Sequence, residues 1–483
     1  MAEEQNNKPL LHRKEWQTMT PVFTITAAGG FVINDNYNLD RFALYVASAT
    51  VHYLYDHNND DWIQIASGAL GGTFGAGACG CHSEWSQAFT ANGGSTTTIT
   101  VNAATHNIHG YSEGKTVEFL SGTAANIGLR RTILSIKHPG PATGNITLTL
   151  DSAVPGAVAN NDTFRLTTGT FFVFMPGTLS ATSFKKYDVA TGVWTACSVT
   201  GLPATWGTDG RMVATNIVGV SYDSGTASSG SATTLVDSTK AWTADQWINY
   251  QVRITGGTGI GQIRTITDNN ATTLTFASGA TIDATSTYVI EGDENAIYLI
   301  GNNAVTMYKY SISGNSWATI APTTARGAAP GLGAGFEFVG KTGDTVWADI
   351  TDIKDGRYIY SLRGGASAVI DRYNISGGTN GAGAWEVMAY VPYITTFTTG
   401  ASTDWAGEYI FIAKEGSATV PQKFFKYNII SNAIRPVATD WYLNGAALLG
   451  NKLWMRYLSS AQEVLWLYNL GSTSTNLRRL MIF

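Results

Sequence analysis

The chain has 483 residues, of which 53 are glycine, 11% are aromatic and only 13% are charged, roughly half the usual charged share. No stretch has the pattern of a long amphipathic helix, and the profile is that of an all-β protein with many tight turns. A dispersed net charge of −5 argues against a general nucleic-acid binder, and three cysteines imply no disulfide framework.

The first sixteen residues, MAEEQNNKPLLHRKEW, are polar and lack the apolar core of a signal peptide. No run of eighteen apolar residues occurs after them, so no membrane span is expected. The basic spots His12-Arg13-Lys14 and Arg478-Arg479 read as solvated surface. Residues 21–35, PVFTITAAGGFVIND, are read as the segment that closes the fold, with Trp16 in an arm free to dock on a neighbour.

From residue 52 a phrase begins that occurs six times: an apolar run, a Tyr, a small or polar residue, a turn and often a Trp. The tyrosines are Tyr55, Tyr187, Tyr310, Tyr373, Tyr427 and Tyr468. In the first three copies the Trp comes seven residues later, at Trp62, Trp194 and Trp317. A glycine-rich extension delays it to Trp385 in the fourth, and the last two lack it. A second strand precedes each phrase, for example RFALYVA (41–47), NAIYLIG (295–301) and NKLWMRYL (451–458), and Gly- or Ala-rich stretches such as WGTDGRMVATN and NGAALLG supply inner strands.

Two stretches interrupt the series. Residues 93–169 and 225–292 match each other: VEFLSGTAANIGLRRTI (117–133) aligns with VRITGGTGIGQIRTI (252–266). The glycines at 256, 257, 259 and 261 suggest a phosphate cradle only superficially. No Lys comes after Gly261 as a Walker loop requires, and Gln262-Ile263-Arg264-Thr265-Ile266 reads as a strand where a dinucleotide fold needs a helix. Tyr-to-Tyr spacings of 132 and 123 both shrink to 55 once the inserted 77 and 68 residues are set aside. A period of about 40 to 60 residues with several short strands per unit is that of propeller blades.

Candidate chemistry is sparse. Cys79-Gly80-Cys81-His82 lacks the spaced second pair that zinc needs, with His52 and His57 reachable only through the fold, and is read as an inner strand of small residues. Asp56 with Asn58-Asn59-Asp60-Asp61 lacks the glycine and distal glutamate of a calcium loop and is read as a turn. Cys197 reads as an apolar filler. Asp349, Asp352 and Asp355 offer carboxylates without a selected pair. No catalytic, cofactor-binding or metal residue is assigned, no cofactor is expected, and the chain is read as a non-enzyme.

The strand-Tyr-(Asp/Asn)-turn-Trp pattern resembles the third and fourth strands of kelch-type propeller blades, with the family's double glycine at Gly364-Gly365 alone. The pattern T-T-L-x-D-S-x-K-x-W, V-R-I-T-x-G-x-G-x-G-Q-x-R-T-I and D-A-T-S-T-Y-x-I in residues 225–292 resembles a β module of tailed-phage virion proteins. The first copy departs from it, with Leu129 where Gln262 stands. These resemblances imply an all-β, kelch-like β-propeller of about six blades with two homologous small β-domain insertions. The implied division is an arm and closing strand (1–35), propeller parts (36–92, 170–224 and 293–483) and inserted modules (93–169 and 225–292). The implied function is a virion structural protein, a tail or neck component of nozzle or hub type acting as a rigid platform, made in the host cytoplasm without secretion. Expected partners are other virion proteins (tail, portal or adaptor, capsid), further copies of the chain and a host-surface glycan, with neither a membrane span nor specific nucleic acid. Capsid decoration or receptor binding through exposed Trp242 and Trp247 is the alternative, and a carbohydrate-active propeller enzyme is a third. The C-terminal Leu480-Met481-Ile482-Phe483 either completes the last strand or, like the arm, reaches an adjacent subunit.

Overall fold

The computed structural model describes residues 78–330 except 107, 109–111, 140–143, 208–209, 216–220, 294 and 302–303, together with 336, 358–364, 367–390, 409–414 and 423–436. It also describes the strands at 16–19, 31–34, 42–46, 52–56, 61–65, 337–339, 402–406, 451–459, 462–470 and 475–482, most of them as backbone only. Regular structure among these residues is antiparallel β, with short 3-10 turns at Ala124–Asn126 and Thr379–Gly381. No helix is long and apolar enough to cross a membrane among them.

Most of the described strands form six successive four-stranded antiparallel sheets. Sheet one is Phe31–Asn34, Phe42–Val46, His52–Asp56 and Asp61–Ile65. Sheet two is Cys79–Ser83, Thr170–Phe174, Phe184–Asp188 and Val193–Ala196. Sheet three is Gly210–Ala214, Ala296–Gly301, Ala304–Ser311 and Ser316–Ile320. Sheet four is Glu337–Val339, Tyr358–Gly364, Ser367–Asn374 and Ala384–Tyr390, and sheet five is Ser402–Ala406, Tyr409–Lys414, Lys423–Asn428 and Ala433–Pro436. Sheet six joins Asn451–Ser459, Gln462–Leu470 and Thr475–Ile482 to Trp16–Met19 from the other end of the chain.

The first strands of consecutive sheets are neighbours, one to two through five to six, and that of sheet six lies beside that of sheet one. The arrangement is therefore a closed, propeller-like cycle. Each sheet has two faces to bury, and stacking around a closed ring covers both. Among the described side chains, apolar clusters fill the gaps between sheets two to five. Phe172, Phe174, Phe184, Met212, Leu299, Tyr310 and Trp317 lie between sheets two and three. Tyr298, Ile300, Ile359, Tyr373 and Trp385 lie between sheets three and four.

Closure corrects one expectation. Phe31–Asn34, the described part of the segment 21–35, is the first strand of sheet one and does not close the ring, while residues 21–30 and 35 lie outside the described residues. The closing strand is the one that contains Trp16, whose backbone register runs from Trp16 opposite Leu480 to Met19 opposite Leu477. Leu480, Met481 and Ile482 end the strand Thr475–Ile482, which pairs with Gln462–Leu470 along its length and with Trp16–Met19 over Leu477–Leu480, and Phe483 lies outside the described residues. With the fourth strand borrowed from the N-terminus, Tyr468 lies on the second strand of its sheet, whereas Tyr427 lies on the third of its own. The sixth copy of the phrase is thus out of phase with the others, and NKLWMRYL is a first strand there rather than a second.

Between the first and second strands of sheets two and three the chain leaves the ring to build two further sheets. Phe89–Asn92, Thr98–Asn102, Thr116–Ser121, Arg130–Lys137, Asn145–Leu150 and Asn160–Leu166 form the first, here called module 1. Ser221–Thr226, Thr234–Val236, Gln251–Gly256, Ile263–Asn269, Thr273–Phe276 and Thr287–Glu291, with the short Ser229–Gly230, form module 2. Both sheets begin slightly ahead of the expected starts at 93 and 225, because Phe89–Asn92 and Ser221–Thr226 pair inside them. The strand order is the same in both. Buried Ile99, Val117, Ile133, Leu148, Phe164 and Leu166 of module 1 correspond by register to Leu235, Val252, Ile266, Leu274, Tyr288 and Ile290 of module 2.

Candidate functional site

The residues singled out in the sequence do not converge. Strand alternation puts Cys79 and Cys81 on one face, in the apolar cluster with Cys197 and Phe172, while His82 faces the other way and packs its ring 4.9 Å from that of Phe171. Burial, with Cys79 alongside, pushes the Cys81 thiol well up, so it stays protonated. Cys197 is likewise raised by burial, against the hydroxyl of Tyr310. Among the described residues no three His, Cys, Asp or Glu side chains are grouped as metal ligands would be. His57, Asn58, Asn59, Asp60, Asp349, Asp352 and Asp355 lie outside the described residues, as do the side chains of His52, Asp56 and Asp61.

Trp242 and Trp247 are not exposed. They are 8% and 4% accessible, and both belong to the apolar core of module 2. The Trp242 indole donates to Asp223 Oδ2 at 2.7 Å, and the Trp247 ring lies 5.2 Å from that of Tyr250. The receptor-binding alternative required these two side chains to be exposed, and the structure buries both. Asp223, the partner of the Trp242 indole, lies nineteen residues before it in the chain.

The glycine run is a turn. Gly257, Gly259 and Gly261 have φ of 70°, 81° and 84°, and Gln251–Gly256 runs into the antiparallel Ile263–Asn269. The segment after Gly261 is thus a strand, so no helix N-terminus faces the turn. Module 1 makes the matching turn at Gly122 and Gly128, with φ of 103° and 75°.

These two matching turns meet each other. A methyl group on Gly128 would lie 2.1 Å from Gly261 Cα, and one on Gly261 would lie 2.3 Å from the Ile127 carbonyl oxygen. Beside this contact lies a buried cluster of charge. Glu118 of module 1 accepts from Arg165 Nε at 2.7 Å and from Arg130 Nε at 3.2 Å. Glu291 of module 2 accepts from Arg253 Nη2 at 2.7 Å and from Arg130 Nη1 at 3.2 Å. The two carboxylates are 1% and 3% exposed. Such charges persist in a core only when paired and hydrogen-bonded, and here each has two arginines. Arg165 and Arg130 also stand over the ring of Trp85, at 4.1 and 5.2 Å, in the linker that leads from sheet two into module 1.

Each module is also held by the ring. In module 1, Gln87 N–H donates to buried Asp188 Oδ2 at 2.7 Å, Leu166 N–H donates to Ser86 Oγ at 2.9 Å, and Ala190 of sheet two enters the module core. Module 2 sits on the extension after Ile375 that delays Trp385. Asn249 Nδ2 donates to the carbonyls of Ile375 and Gly381 at 3.1 and 3.0 Å, and Ser376 Oγ donates to the Ile248 carbonyl at 2.7 Å. Sequence reasoning saw the extension and missed its purpose, because its contacts are more than a hundred residues away.

No protein-family model matches the sequence, and no curated protein matches it significantly. Solved structures similar to the chain include U3-55K, with a TM-score of 0.36 at 7% identity over 97% of this chain and 98% of that one. The WD40 repeats of RRP9 give a TM-score of 0.36 at 7% identity over 97% of each chain. The endosialidase of phage phi92 gives 0.28 at 10% identity over 97% of this chain and 69% of that one. Likeness at this level reaches neither substrate nor activity.

Proposed function

We propose that the chain is a structural protein of a tailed-phage virion, a tail or neck component of nozzle or hub type. In this reading the ring is a six-bladed, kelch-like propeller, and the two modules are homologous insertions carried by its second and third blades. The observation that carries the reading is the mounting of the modules. Each is bonded to the ring, and the two are bonded to each other through buried charge. A platform that transmits load needs parts fixed in this way, whereas flexibly tethered binding heads would stand free of one another. The resemblance of residues 225–292 to phage-type β modules supplies the virion setting. The loss of Trp242 and Trp247 as exposed side chains removes the residues on which glycan binding rested. The chain acts through its surfaces on other virion proteins and on further copies of itself, without turnover.

Quantitative mass spectrometry of purified particles tests this. A copy number of about six or twelve supports a place on the tail axis, where closed rings obey cyclic symmetry. Hundreds of copies would move the chain to the capsid surface, and absence from particles would overturn the virion role.

A further inference from the structure

We infer that Arg130 is an interlock that makes one rigid body of the two modules, and that it can be released without unfolding either. The inference is independent of the virion role. It rests on how the charges are shared. Glu118 has a partner of its own within module 1, Arg165, and Glu291 has one within module 2, Arg253. Arg130 is additional to both pairs, its Nε on Glu118 and its Nη1 and Nη2 on Glu291 at 3.2 and 3.5 Å. The planar guanidinium makes this possible, because it presents donors on several edges at once.

The repeat relation sharpens the point. By register, the counterpart of Arg130 in module 2 is Ile263, and the counterpart of Glu118 is Arg253. The two copies are thus not interchangeable at this seam. Module 1 offers a carboxylate and a bridging arginine, and module 2 offers an arginine and receives the bridge on Glu291. Such asymmetry fits a seam between unlike neighbours, not a face that either copy could use with another copy of itself. The Gly128–Gly261 contact beside it admits no side chain, so the modules approach to backbone distance where the interlock holds them.

Removing Arg130 leaves each buried carboxylate with its own arginine, so the modules should stay folded while the seam loosens. The test is hydrogen exchange on the full chain with Arg130→Met, which keeps the apolar stem. The amides of Gly128 and Gly261 donate to the Phe119 and Ile254 carbonyls at 2.8 and 2.9 Å and report on the two facing turns. Both should exchange about tenfold faster, the change that a coupling of ~1.4 kcal/mol produces. The core amides of Ile133 and Ile266 should keep their protection. Arg130→Lys, which retains a cation between the carboxylates, should recover part of the loss at both turns. Unchanged exchange at the turns in Arg130→Met would overturn the interlock. Loss of core protection in both variants would also overturn it, since Arg130 would then be part of module folding.

Discussion

At the residue scale, the two copies of the module record two solutions to one buried site. In module 2, Tyr288 donates to Asp237 Oδ2 at 2.8 Å, and Thr239 bonds Oδ1 through N–H and hydroxyl. Gly225 leaves the room, since a methyl group there would lie 2.4 Å from Asp237. The same positions in module 1 are Phe164, Val101 and Phe89, all buried, with the two phenyl rings stacked at 5.5 Å. An acid with three donors and an apolar trio fill the same space. Burial opposes ionisation of Asp237, but the bonds from Thr239 and Tyr288 prevail and hold its carboxyl below the usual range. A carboxyl so depressed stabilises the fold above its unfolded pKa, about 3.9, and loses that contribution as pH falls through the folded value. Asp237→Asn should therefore flatten the acid limb of module 2 unfolding, read by hydrogen exchange against pH. Val101→Asp places a carboxyl beside Phe164, which offers no donor, and should cost module 1 at least ~2 kcal/mol in chemical denaturation. A second buried acid makes a stronger case. Asp371 is 2% exposed and holds both Arg326 and Arg363, at 3.0 and 2.9 Å. Asp371→Ala strands a buried guanidinium and should destabilise the chain by ~3–5 kcal/mol in urea titration.

At the scale of elements, the recurring Tyr phrase has a simple physical basis. Tyr187, Tyr310 and Tyr373 stand directly opposite Trp194, Trp317 and Trp385 across a turn, with ring centroids 5.1, 5.0 and 5.3 Å apart. The seven-residue interval is the length of the turn that makes them partners, and the long extension to Trp385 preserves the same pairing. Five residues after the Tyr, Gly192, Asn315 and Asn432 adopt the left-handed conformation that closes the turn, with φ of 69°, 46° and 50°. Asn315 and Asn432 also accept the hydroxyls of Tyr310 and Tyr427 at 2.6 and 2.9 Å. Trp317 further joins two sheets, with its amide on the Thr200 carbonyl and its indole on that of Ser198 at 3.2 Å. Trp317→Ala should cost ~3–5 kcal/mol, measured by chemical denaturation. This level of structure was legible because pairing across a short turn leaves a fixed interval in the sequence. The matching turns of the modules were legible for the same reason. The features that stayed hidden depend on distant partners: the indole of Trp242 on Asp223, Arg130 on Glu291, and Asn249 on the loop after Ile375. None of these leaves an interval to read.

At the scale of the whole molecule, the ring depends on its ends. Sheets two to five stack through apolar clusters, and sheet six takes its fourth strand, Trp16–Met19, from the other end of the chain. The sequence reading puts closure in residues 21–35 and leaves Trp16 in a docking arm, because a four-residue strand such as Trp16–Met19 carries too little pattern to stand out from a polar arm. Topology decides otherwise, because Phe31–Asn34 is needed as the first strand of sheet one. A closed ring joined by strands from both termini unfolds as a unit, and its joint is the place to test it. The direct measurement is the thermal unfolding of two truncated chains, one beginning at residue 15 and one at residue 20. The chain that begins at residue 20 should melt several degrees below the one that begins at residue 15 and lose exchange protection along Thr475–Ile482. Equal melting of the two truncated chains would contradict closure through Trp16–Met19.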